Sequence, residues 1–214
     1  MKQHKIAVVG PIPRDHITTD KGQVIEKYGA VTHPAIALCK LLAEHGMVIP
    51  VAHVHKADEA NIRAILSDYP NMSLEGLSAE QDRGAVIELK FVDQNNRLEK
   101  QTAFMAPITP DDIAPALDAD VFVFVPITDH EVPLLTLKHI KENGKPDAVT
   151  ILDAHGSTTV VTTQGMRERR FWTDRDMWLP YIDVLKMNIE EAGCCWFANE
   201  YKSEDLQQEY TELS

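Results

Sequence analysis

The chain has 214 residues, 44% of them hydrophobic and 25% charged, which suits one sizeable domain with its own core and argues against disorder. Its 33 acidic residues against 21 Lys and Arg leave a net charge of −12, which works against nucleic acid and anionic membrane as partners. Three cysteines, two of them adjacent at Cys194 and Cys195, give neither a disulfide framework nor metal-ligand spacing, and the apolar run behind residues 1–5 is too short for a signal segment or a membrane span; a cytoplasmic protein is expected.

Ile6-Ala7-Val8-Val9, stopped by Gly10-Pro11, reads as a strand buried on both faces at the centre of a parallel sheet. The segment Gly10-Pro11-Ile12-Pro13-Arg14-Asp15 lacks both the glycine spacing of a dinucleotide site and the Lys-Ser/Thr of a phosphate loop. Asp15 is expected just past the carboxyl end of that strand, where a carboxylate either accepts hydrogen bonds from ligand hydroxyls or sits solvated in a loop. Residues 16–27 alternate as a hairpin about Asp20-Lys21-Gly22, and residues 85–102 as a second about 93–96. Two hairpins interrupting a parallel pattern are expected to form one small sheet that covers the ligand site or meets a second subunit in a homodimer.

Helices are predicted at 34–45, with Thr32 as cap, Ile36, Leu38, Leu41 and Leu42 apolar and Gly46 as stop, and at 58–66. A short helix is predicted to open at Thr109-Pro110, another spans 131–142 before Gly144, and one covers 173–179, where Trp172 and Trp178 read as packing. Strands are predicted at 48–54, where Pro50 points to an end or edge position, at 72–74, at 121–125 and at 149–152. The last ends in Asp153-Ala154-His155-Gly156, a second acidic turn at a strand's carboxyl end. This alternation predicts a doubly wound, mostly parallel sheet with helices on both faces.

Near the end, Val184-Leu185-Lys186-Met187 is a strand that runs into Asn188-Ile189-Glu190-Glu191. Asn188 suits an N-cap, and Glu191, three residues on, gives the capping-box spacing. The same position suits a ligand, because strand carboxyl ends bind ligands in parallel sheets and a carboxylate at a helix start can order a hydrated Mg²⁺.

These pieces, in this order, resemble the ribokinase-like, or PfkB, family of carbohydrate and nucleoside kinases over essentially the whole chain. The likeness lies in Val8-Val9-Gly10-Pro11 with Asp15 five residues after the glycine, the hairpin leading to Tyr28-Gly29-Ala30, the helix ending Ala37-Leu38-Cys39-Lys40-Leu41, the second hairpin, Leu152-Asp153, and Asn188-Ile189-Glu190-Glu191 as the family's N-x-x-E motif. The resemblance implies a ribokinase-like α/β domain over residues 1–214, incomplete at its C-terminal end, with lid segments at 16–28 and 85–103. It implies a phosphotransferase that uses ATP and Mg²⁺ on a sugar or nucleoside hydroxyl. It assigns Asp15, Gly29 and His33 to the substrate, Asn188, Glu191 and Asp153 to the nucleotide, and Glu191 to Mg²⁺.

The chain departs from the family pattern at three points. Tyr28-Gly29 stands where the family has a Gly-Gly pair, and His33 where it has a substrate-contacting Asn. The Gly-Ala-Gly-Asp segment that supplies the anion hole and the general base does not occur. The chain is therefore expected to be the substrate-binding and lid portion of such a kinase, with no catalytic residue of its own. The alternatives are a non-catalytic sugar-sensing or interaction module that keeps the fold, and an unrelated nucleotide-binding α/β protein. Family members run past position 214; if this chain is all there is, the flank at 184–187 is expected to be an exposed edge, and the chain to be marginally stable or to self-associate through that flank, and to bind ATP weakly at best.

Overall fold

The computed structural model describes residues 3–93 and 96–196, so the polar tail 200–214 and the centre of the second hairpin's turn lie outside the described residues. β1 (His4–Val9) is followed by the hairpin β2 (Arg14–Thr18) and β3 (Val24–Tyr28), helix α1 (Thr32–Leu42), β4 (Gly46–His53), α2 (Lys56–Ser67) and the two-residue β5 (Leu77–Ser78). The hairpin β6 (Val86–Phe91) and β7 (Arg97–Ala103) comes next, then β8 (Val121–Phe124), α3 (Leu134–Asn143) and β9 (Val149–Asp153). A third hairpin, β10 (Thr159–Val161) and β11 (Arg167–Arg169), precedes α4 (Arg175–Trp178), β12 (Val184–Lys186) and α5 (Ile189–Cys195).

Six strands in the order β12-β9-β8-β1-β4-β5 form one parallel sheet. In β1, Ala7, Val8 and Val9 are all fully buried, and because successive side chains point to opposite faces, both faces of the sheet are covered. From β1 the chain winds outward through β4 and β5, then returns to build β8, β9 and β12 on the other side. The winding reverses between β1 and β8, and the crevice at the carboxyl ends there is where open α/β sheets bind ligands. Gly10 stands at that point with φ +148°, and a β-carbon on it would lie 2.9 Å from the Val125 carbonyl oxygen. Only bare backbone fits between the two strand ends.

The first two hairpins join into a separate four-stranded sheet, β3-β2-β6-β7, with β2 parallel to β6. Pairing starts where the Arg14 N–H reaches the Ala85 carbonyl. Asp15 is consequently not in a loop past β1. It is a lid-strand residue, opposite Lys27 and Ile87.

Several local expectations change for identifiable reasons. α1 buries Thr32, Ala35 and Cys39, whereas Leu41 is 81% exposed, because it sits about 200° round the helix from Cys39. The Thr32 hydroxyl donates to the carbonyls of Tyr28 and Gly29 instead of capping an N–H, and Gly46 opens β4 behind a 3₁₀ turn at Ala43–His45. The strand expected at 72–74 is a single bridge between Val48 and Met72. Val48 pairs with Asn71 and Ser73, but Pro50, next on that side, has no N–H, and the ladder resumes only where Ala52 N–H reaches Gly76.

The Thr109 N–H and hydroxyl both donate to Asp112, and the short helix behind them is a 3₁₀ segment, Asp111–Ala116. α3 starts at Leu134, which leaves Glu131 ahead of it. The helix expected at 173–179 splits into α4 and a 3₁₀ turn, Leu179–Tyr181, while Trp172 and Trp178 pack edge to face at 5.9 Å inside the core. Such a pair adds about 0.5–1.5 kcal/mol beyond its buried area. The β10–β11 hairpin has no counterpart among the predicted elements.

Candidate active site

The lid carries the first of the candidate residues. A β-carbon on Gly29 would lie 2.5 Å from Asp15 Oδ2, so the carboxylate rests directly on the Gly29 backbone. Asp15 makes no side-chain hydrogen bond among the described residues, and burial raises its pKa to about 6, opposed by the Arg167 guanidinium. Glu99 adds to the rise, and Arg97 and His16 oppose it.

Arg167, on β11, is the centre of the site. Its side chain is 6% exposed, and burial weakens its hold on its charge, an effect that Glu99 opposes. Nη1 donates to Gln101 Oε1 at 3.1 Å, Nη2 donates to the Ile127 carbonyl and to His155 Nε2, each at 2.9 Å, and Nε lies 3.3 Å from Glu99 Oε2. These partners belong to lid strand β7, the loop after β8 and the turn after β9. Since Nε2 accepts, the His155 ring carries its proton on Nδ1, which stands 3.0 Å from Glu191 Oε1.

Glu191 closes the chain of contacts at the start of α5. Asn188 accepts from the Glu191 N–H and Glu191 Oε2 accepts from the Asn188 N–H, both at 2.8 Å, which is the capping box that the spacing predicts. Oε1 also receives Arg169 Nη2 at 3.3 Å. The carboxylate is 1% exposed. Burial by itself would raise its pKa, but the hydrogen bonds from His155 and the Asn188 N–H, with the nearby Lys186 charge, hold it down at about 2.

Glu131, fully buried between β8 and α3, supports the same assembly from behind. Its Oε2 accepts from the Ile127 and Thr128 N–H groups at 2.6 and 3.0 Å, while Oε1 has no hydrogen-bond partner among the described residues. Burial raises its pKa to about 7 against those two hydrogen bonds. The peptide that it holds is the one whose Ile127 carbonyl receives Arg167.

Asp15 and Gly29 therefore meet in the lid, and Asn188 and Glu191 at the start of α5, with Arg167 and His155 between them. Asp153 ends β9, accepts from the His155 N–H at 3.1 Å and pairs with Lys186 at 3.0 Å. His33 is exposed on the first turn of α1, and among the described residues its side chain makes no hydrogen bond or ion pair to this group. The sequence reading missed Arg167, Arg169, Glu99, Gln101 and Glu131. The available signal for the arginines was a turn at Gly165 between two short alternating runs.

No protein-family model and no curated protein matches the chain. Solved structures do. A pyrophosphate-dependent kinase in the ribokinase family, complexed with a pyrophosphate analog and myo-inositol, is 22% identical with a TM-score of 0.71, over 88% of this chain and 63% of that one. The ribokinase from Giardia lamblia is 15% identical with a TM-score of 0.65, over 89% and 59%. A sugar kinase from Pyrococcus horikoshii in complex with ATP is 14% identical with a TM-score of 0.55, over 69% and 52%. The chain thus spans less than two thirds of the length of these structures, and at these identities the likeness is one of fold.

Proposed function

We propose, for a chain that has the ribokinase-like fold, that it is the substrate-binding and lid portion of an ATP-dependent carbohydrate kinase that phosphorylates a sugar or nucleoside hydroxyl. The observation that carries this reading is the run of side chains Arg167, His155 and Glu191, which joins lid strand β7 to the Asn188-x-x-Glu191 helix start at the carboxyl edge of the sheet, with the Arg167 charge also lowering the pKa of the lid carboxylate Asp15. Asp15, resting on Gly29 and without a side-chain hydrogen bond among the described residues, orients the acceptor by accepting its hydroxyl hydrogens. In the complete enzyme the acceptor oxygen attacks the terminal phosphorus of ATP in line, an O–P bond forms as the bond to the leaving ADP breaks, and the hydroxyl proton passes to a base outside this chain.

The Mg²⁺ that the resemblance implies does not fit direct ligation by Glu191. Both carboxylate oxygens face N–H donors, and among the described residues no three His, Cys, Asp or Glu side chains are grouped to hold a metal ion. We assign Glu191 a role in holding the start of α5 and no step through the metal. His33, Asp153 and a homodimer through the lid remain part of the proposal, as substrate, nucleotide and subunit contacts.

A non-catalytic sugar-sensing module is the second reading, favoured by the way the cap and its ion pairs use up Glu191. A thermal-shift series with myo-inositol, ribose and adenosine, each with and without Mg-ATP, tests both. A ligand at one hundred times its Kd adds about 2.7 kcal/mol of apparent stability. The kinase reading expects a polyol or nucleoside shift that Mg-ATP enlarges and Asp15→Ala removes. A polyol shift indifferent to Mg-ATP supports the module, and no shift with any ligand overturns both.

A further inference from the structure

We propose that Arg167 is a positioning residue that locks the lid sheet to the main sheet, so that Asp15 and the start of α5 are held in one geometry. The proposal rests on the reading of the lid as the acceptor cover, and it concerns a residue outside every motif that the sequence offers. A buried guanidinium has a rigid planar fork, and bonds leaving it in several directions fix the relative position of whatever they reach. Here they reach three separate pieces: Glu99 and Gln101 on lid strand β7, the Ile127 carbonyl after β8, and His155 after β9.

The backbone repeats the same connection. The tip of the β10–β11 hairpin accepts the Gln101 N–H at the Gly165 carbonyl, 2.8 Å away, and Met166 bridges to Lys100. The lid is thus tied to the main layer by a hairpin as well as by the chain segments that enter and leave it. The Arg167 charge also pulls the pKa of Asp15 down, as do Arg97 and His16, against burial and Glu99, which raise it. Locking the lid and setting the charge on its acceptor-facing carboxylate are two effects of one side chain.

Hydrogen exchange on the 214-residue chain, comparing Arg167→Gln, Arg167→Lys and Glu99→Gln with the wild type, tests the lock. Arg167→Gln is expected to speed exchange of the β7 amides about tenfold, with β1 and β8 amides unchanged, because the lost bonds are local. Glu99→Gln removes a lid-side partner alone and is expected to do the same to a smaller degree. Arg167→Lys keeps the charge without the fork, so it should restore the pH midpoint of any polyol-induced thermal shift but not the β7 protection. In Arg167→Gln that midpoint moves up, since a cation beside Asp15 is gone.

Equal acceleration in β1, β7 and β8, or unchanged β7 exchange in both Arg167→Gln and Glu99→Gln, overturns the proposal. If the wild type shows no shift with myo-inositol, ribose or adenosine, the kinase reading fails, and the exchange results still decide whether Arg167 holds the lid.

Discussion

Gly29 lies so close beneath Asp15 that a β-carbon there would stand 2.5 Å from the carboxylate oxygen Oδ2. The glycine is therefore required by a side chain and not by its own backbone angles, since its φ is not in the left-handed range. Gly29→Ala is expected to swing the Asp15 carboxylate away and to abolish the polyol-induced thermal shift, at a stability cost of about 1 kcal/mol. The double variant Asp15→Ala, Gly29→Ala should regain that stability without regaining the ligand response. A full ligand response in Gly29→Ala would show that Asp15 does not touch the acceptor.

Glu131 gives a stability dependence on pH with a definite sign. Its carboxyl is raised to about 7 in the folded protein from an ordinary 4.5, so between those values the folded state binds more protons than the unfolded one. Its contribution is fully present below about pH 4.5 and is lost as pH rises through about 7. Asp15, raised to about 6 from 3.8, acts in the same direction. Glu131→Gln keeps an acceptor for the Ile127 and Thr128 N–H groups but cannot ionise. Thermal melts from about pH 5 to about pH 8 should therefore fall less steeply for Glu131→Gln than for the wild type. Parallel curves would mean that Glu131 does not titrate in this window.

How much of this was legible in the sequence depended on the range of each interaction. The buried runs of β1 and β8 announced a parallel sheet, and the two alternating hairpins announced the lid, because both signals sit within a few consecutive residues. The capping box was read at its true residues, Asn188 and Glu191, since its spacing is local. Arg167 could not be read in this way. Its partners Gln101, Ile127 and His155 lie 66, 40 and 12 residues away, and only the folded chain brings them to one guanidinium. Glu131 looked like the first turn of a helix, and its burial is set by where β8 ends, which no periodicity reports. Asp15 was assigned to the right edge of the sheet but the wrong element, because the crossing from β1 into the lid takes only Gly10 to Pro13.

The cap at α5 separates a structural carboxylate from a metal-binding one. Asn188→Ala should cost about 1 kcal/mol, the usual loss for an N-cap. Glu191→Gln should cost more, about 2–3 kcal/mol, because an amide NH₂ placed toward either His155 and Arg169 or the Asn188 N–H sets donor against donor. Its ionised form also stabilises the fold above about pH 4.5, a contribution lost as pH falls towards about 2. Urea melts at neutral pH measure both variants. A loss below about 0.5 kcal/mol for Glu191→Gln would return Glu191 to the pool of free ligands for a cation.

β12 is one of the two edges of the parallel sheet among the described residues. An edge strand presents unpaired backbone groups to any other chain, and charged side chains, Lys above all, are what discourage such pairing. β12 has three residues, Val184 is 47% exposed, and Lys186 is its charged member, held over β9 by its pair with Asp153. Lys186→Val removes that charge and leaves an apolar three-residue edge. Sedimentation of the 214-residue chain should show more self-association for Lys186→Val than for the wild type, with the excess insensitive to salt because the new contact is apolar. If both sediment alike as monomers, β12 is not an open edge in solution, and whatever covers it must come from outside the described residues.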